Sequence, residues 1–123
     1  MYNSLKENLS SLKSAFANSA DFTVRDMILN SDNKTTSAVI TIEGMCSKEV
    51  IALSIINPIF DFDFKNADGT QILDEIRLSV LSASEIVEFE SFDEAIMFLT
   101  SGFAVIAVDG CSKMLAIGVP GLS

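Results

Sequence analysis

Apolar residues recur at helical spacing in four stretches of this chain and run on as strands in five others. The strongest pattern lies at 92–118. Phe92, Ala95, Ile96 and Leu99 form one apolar face, Ser91 stands at the N-cap position with Glu94 three residues on, and Gly102 suits a left-handed helix end. Residues 103–108 are then apolar without alternation, which predicts a strand covered on both faces at the centre of a sheet. Asp109-Gly110-Cys111-Ser112 turns the chain, and 113–117 returns as the neighbouring strand.

Upstream, Ser4 and Glu7 offer a second capping box, and Leu5, Leu9, Leu12 and Phe16 follow on one helical stripe. This helix has one apolar face and is expected on the outside of the sheet. Asn18-Ser19-Ala20-Asp21 ends it. Residues 22–29 read as a strand whose only charges, Arg25 and Asp26, point to opposite faces. The turn-forming run 30–34 and the β-branched run 36–42 predict a hairpin. Ser47 caps a helix at 50–57, apolar nearly all round, which Pro58 is expected to end. Phe60, Phe62 and Phe64 are expected to pack inward from an acidic loop. Ile72, Leu73, Ile76 and Val80 define another helical face, and 86–90 a short edge strand. The tail 119–123 reads as the start of a linker. The order implies an α/β domain over 1–118, with a mixed sheet of about five strands and helices packed on its faces in two or three layers. Hairpins joining adjacent strand pairs exclude a purely parallel doubly wound sheet.

Composition narrows the class. An apolar content of 49% in 123 residues excludes a disordered chain and gives room for one real core. The longest apolar runs, about six residues, fall far short of the roughly 20 that a spanning helix needs. MYNSLKENLSSLK has no basic head followed by an apolar block, so it does not read as a signal peptide. The net charge of −9, with eight scattered basic residues, argues against nucleic acid and against adhesion to anionic lipid.

Candidate chemistry is sparse. There is no histidine, and no glycine-rich phosphate loop, nucleophile elbow or CxxC. No catalytic, cofactor or metal residue is assigned. Cys46 and Cys111 fit free thiols in a reducing compartment; each follows a strand and precedes Ser-Lys, and the two are expected close in space if those strands are neighbours. Asp61-Phe62-Asp63 begins like a calcium loop, but Lys65, Asn66 and Ile72 occupy positions that need a ligand, a glycine and a bidentate acid. Asp109-Gly110 is read as a hairpin turn whose carboxylate accepts local backbone bonds, ahead of a ligand-facing turn. Arg25 can hold a carboxylate ligand, although an ion pair with a neighbouring acid is the favoured role. The stretches at 39–48 and 105–113 echo one another, each a strand ending in acid-Gly, as shared strand-exit chemistry rather than a repeat.

Three segments together resemble the A subunits of the GerA-type spore germinant receptors of Bacillus and Clostridium relatives. Asn18-Ser19-Ala20-Asp21-Phe22-Thr23-Val24-Arg25 is similar to that family's Asp-Phe-x-x-Arg segment, and Ile40-Thr41-Ile42-Glu43-Gly44 to its strand exit. The stretch 98–110 is similar to a further family pattern ending in Asp109-Gly110. The resemblance implies the first half of a soluble N-terminal region, shaped like one lobe of a solute-binding protein. A linker, a second subdomain and membrane helices are expected to follow. It also implies a role in nutrient-triggered germination, with B- and C-type subunits as partners. The parent is expected in the spore inner membrane, with this segment soluble on the cytoplasmic side. It carries over no catalytic residue, cofactor or ligand-binding residue.

Relay of a signal through partner subunits is the leading expectation. Direct sensing of a small nutrient, in a pocket near Gly44 or Gly110, is the alternative. A thiol enzyme using Cys46 or Cys111, activated by Lys48 or Lys113, has the least support in the residues.

Overall fold

A computed structural model describes residues 1–16, 22–29, 34–81 and 85–118. The expected helix stop at 18–21, most of the hairpin loop at 30–34 and the tail 119–123 lie outside the described residues. The chain forms α1 (Leu5–Ala15), β1 (Phe22–Ile28), β2 (Thr36–Ile42), α2 (Lys48–Ile51), α3 (Asn57–Asp61) and α4 (Gly69–Glu75). It continues through β3 (Glu85–Phe89), α5 (Phe92–Thr100), β4 (Ala104–Val108) and β5 (Met114–Gly118). Element order follows the reading of the sequence throughout.

The five strands form one sheet in the order β1-β2-β4-β5-β3. All four pairings are antiparallel, where a mixed sheet was the expectation. The reason lies in β5. Strands β3 and β4 run the same way and are joined by a crossover through α5, which alone would leave parallel neighbours. The β4–β5 hairpin inserts β5 between them and makes every contact antiparallel.

The layering explains why β4 carries no polar residue. Ala104, Ile106 and Val108 face one buried cluster, shared with Leu115, Ile117 and the helical residues Ile55, Ile72 and Ile76. Val105 and Ala107 face the other, with Leu5 and Leu12 of α1 and Ala95 and Leu99 of α5. Thus α1 and α5 cover one face, the α2–α4 segments cover the other, and all five residues of β4 are buried. Each fully buried Leu or Ile contributes about 1.5–3 kcal/mol of transfer free energy.

Local rules set the helix ends. Ser4, Ser47 and Ser91 accept the backbone N–H groups of Glu7, Val50 and Glu94. A capping box not anticipated from the sequence forms between Asp68 and Gln71. Gly102 ends α5 at φ +90°. Its N–H bonds the Leu99 carbonyl and the Phe103 N–H reaches Phe98, with the Phe98 and Phe103 rings 5.2 Å apart. This is a Schellman end with its hydrophobic contact in place.

Pro58 does not end its helix. Ile51, Ala52, Ile56 and Asn57 all keep right-handed helical angles, and α2 and α3 join through a π-helical turn, Ala52–Ile56, into one rod reaching Asp61. The Asn57 N–H bonds the Ala52 carbonyl, five residues back, immediately before the proline that has no N–H to place. A widened turn at this point accommodates the ring that a regular α-helix rejects. One consequence is that Phe60 lies on the rod and is 49% exposed, not packed inward. Phe64 is buried, and the half-buried Phe62 ring lies tilted against it at 4.8 Å.

A cleft at the open end of the hairpin

The inner face of the β1–β2 hairpin changes character along its length. Alternation places Thr23, Arg25 and Met27 of β1 on the side of the α2–α3 rod, opposite Thr41, Val39 and Ser37 of β2. Met27 and Val39 are buried beneath the helical layer. Thr23 and Arg25 are exposed, so the helical layer leaves this end of β1 uncovered. The uncovered part is a cleft of about 520 Å³, within the range of small-molecule sites. Val39, Ile51 and Ile56 are its buried apolar floor. Arg25, Thr41, Glu43 and Lys48 supply polar groups around it, and Ala52 of the π-helical turn forms part of the wall.

Asp26, on the other face of β1, takes no part in the lining. Among the described residues no carboxylate lies within 4.0 Å of the Arg25 guanidinium, so none of them forms the favoured ion pair. Glu43 and Lys48 approach to 3.9 Å with largely exposed side chains, an interaction worth at most about 1 kcal/mol. Both therefore remain available to a ligand.

The two acid-Gly strand exits share one geometry. Gly44 and Gly110 each sit at φ +88°, closing turns in which Met45 N–H bonds the Ile42 carbonyl and Cys111 N–H bonds that of Val108. Both fit a type II turn, whose third residue requires a positive φ. Their surroundings differ completely. Strands β2 and β4 are antiparallel neighbours, so these exits, and Cys46 and Cys111 with them, lie at opposite ends of the sheet. The cleft is at the Gly44 end. At the other end the Asp109 carboxylate accepts the Leu5 N–H at 2.9 Å, and the Gly110 N–H bonds the Asn3 carbonyl at 2.7 Å. Asp109 and Gly110 stay exposed, but the turn is tied to the start of α1, and its carboxylate bond is long-range rather than local.

Neither thiol has the setting of a nucleophile. Cys46 donates to the Gly102 carbonyl at 3.2 Å, and burial pushes its pKa up. Cys111 is 3% exposed within the core. An activated cysteine needs the reverse, a lowered pKa in an accessible, electropositive site. In the acidic loop, Asp63 accepts the Lys65 N–H at 2.9 Å, which commits one of its oxygens to the turn. Sequence reasoning singled out Arg25 and expected a pocket near Gly44 or Gly110, but did not bring Arg25 and Gly44 into one cleft. Its signal was the polar run Thr23, Arg25, Thr41 on strand positions that face a helix.

The architecture is that of a three-layer α/β domain with a cleft at one end of its sheet. A family model described as Bacillus/Clostridium GerA spore germination protein matches residues 10–123, and the chain belongs to that family. Its fold is similar to that of the N-terminal domain of the A subunit of the Bacillus megaterium spore germinant receptor GerK3 in a crystal structure. The TM-score is 0.77 at 21% sequence identity, over 98% of this chain and 48% of the solved one. The chain thus spans about half the length of that solved structure. No curated protein matches it significantly. Among the described residues, no helix is long and apolar enough to cross a membrane.

Proposed function

We propose that this chain is part of the N-terminal region of a germinant-receptor A subunit and supports nutrient-triggered spore germination by contact with other receptor subunits. The reading places it on the cytoplasmic side of the spore inner membrane, held there by the rest of its parent chain. B- and C-type subunits and a second subdomain of the same chain are the partners. The observation that carries the contact role is the outer side of the α2–α4 layer. It leaves Leu53 at 70% and Phe60 at 49% exposure on the rod, and Leu78 at 68% in the π-helical turn Ile76–Val80 that continues α4. Large apolar side chains exposed together on one layer support the reading that a partner covers it. The test is a photo-crosslinking residue at Leu53 in the full receptor within spores. Adducts to another receptor subunit are expected; a Leu53 probe that reacts only with water, beside a productive probe elsewhere on the chain, opposes the reading.

A second reading, direct sensing of a small molecule, is favoured by the cleft at Arg25. The two are compatible, since the rod that walls the cleft also presents Leu53 and Phe60.

A further inference from the structure

We propose that the cleft between the β1–β2 hairpin and the α2–α3 rod takes a small monocarboxylate with an apolar body, the carboxylate held by Arg25. This rests on the sensing reading of the cleft and names its ligand chemistry. Three features converge. The sheet face beneath the rod is apolar at Met27, Val39, Ile106, Leu115 and Ile117, yet polar where the cleft opens. Arg25 has no carboxylate within 4.0 Å among the described residues, in a chain with 17 acidic and eight basic residues. A guanidinium that meets no described carboxylate and stands over an apolar floor is free to take an external anion, and its planar fork suits a carboxylate bidentately. The floor of Val39, Ile51 and Ile56 offers nothing polar, so the rest of the ligand must be apolar.

Charge decides between anions. Glu43 lies on the same cleft and the whole chain carries −9, so a dianion meets more repulsion than a monoanion does. Lys48 at the mouth and the Thr41 hydroxyl supply further donors. A carboxylate therefore fits better than a phosphate.

The experiment is an amide-shift titration of the isotope-labelled chain with 4-methylpentanoate, its neutral amide and inorganic phosphate. Saturable shifts are expected at Thr41, Gly44, Cys46 and Ala52 with the carboxylate. The neutral amide, and the Arg25→Gln chain with the acid, are expected to bind at least about tenfold more weakly, as befits a lost charge-assisted pair. Arg25→Lys, which keeps the charge but not the fork, is expected to fall between. Equal binding of acid and amide, or an Arg25→Gln chain that binds the acid as well as the parent, overturns the carboxylate assignment and leaves the cleft as a site. Phosphate shifts in place of carboxylate shifts overturn it likewise. A cleft silent to all three probes in a folded sample removes both the assignment and the sensing reading.

Discussion

Asp109 and Leu5 stand 104 residues apart, yet the Asp109 carboxylate accepts the first N–H of α1 at 2.9 Å. The same residue donates its own N–H to the Thr36 carbonyl at 2.9 Å. One turn therefore joins the central strand, its neighbour β2 and the opening helix. A carboxylate at a helix N-terminus satisfies an orphan donor and meets the positive end of the dipole. Asp109→Ala is expected to cost about 1–2 kcal/mol in urea denaturation. Asp109→Asn keeps the acceptor and is expected to lose less than half of that. Equal losses would show that the charge, not the bond, holds α1 in place.

Gly69, the first residue of α4, is needed for space rather than for conformation. A β-carbon there collides with the Asp109 carbonyl, which is backbone and cannot swing away. Helix propensity alone favours Gly69→Ala by up to about 1 kcal/mol. Overpacking against rigid backbone costs about 1–3 kcal/mol or more and wins. Net destabilisation is expected on chemical denaturation. Gly44→Ala supplies the contrast: nothing lies within 4 Å of its β-carbon, and φ +88° leaves only backbone strain of about 1–2 kcal/mol.

Most of the fold was legible because local rules and burial agree. The unbroken run at 104–108 could only be central, and β2 was read with the bounds it has. What was not legible depends on pairs distant in sequence. Strand direction turned on β5 lodging between β3 and β4, which no periodicity records. Pro58 carried the right local rule and lost to tertiary packing, since buried Ile55, Ile56 and Ile59 flank it and keep the rod together. The Asn8 side chain, 1% exposed, clamps the Tyr2 backbone through bonds of 2.9 and 2.8 Å. In sequence it is one polar residue beside an apolar stripe. The cleft was half legible: Arg25 and Gly44 stood out, but its volume exists only because the rod leaves β1 uncovered.

Cys46 predicts a pH dependence. Burial raises its pKa in the folded chain, so the native state holds the proton to higher pH than the unfolded state does. The corresponding stability is complete below the unfolded thiol value of about 8.5 and is lost as pH climbs from there through the raised folded value. Denaturation midpoints are expected to fall across that window, and Cys46→Ala is expected to flatten the fall. At neutral pH, iodoacetamide is expected to modify both thiols of the folded chain more slowly than those of the unfolded chain. A fast-reacting Cys46 would contradict its raised pKa.

The same truncation at two apolar sites separates core from contact surface. Ile106 is fully buried at the centre of the sheet, so Ile106→Ala removes transfer free energy and leaves a cavity that the neighbouring strands close only in part. A loss of about 2–5 kcal/mol is expected on urea denaturation of the isolated chain. Leu53, at 70% exposure, makes few contacts to lose, and Leu53→Ala is expected to stay within about 0.5 kcal/mol. If Leu53 is nevertheless needed in the receptor, its replacement lowers germination while the isolated chain keeps its stability. That combination assigns it to an interface. A Leu53→Ala chain that loses stability on the scale of Ile106→Ala would make it a core residue, and the contact reading of the helical layer would lose its anchor.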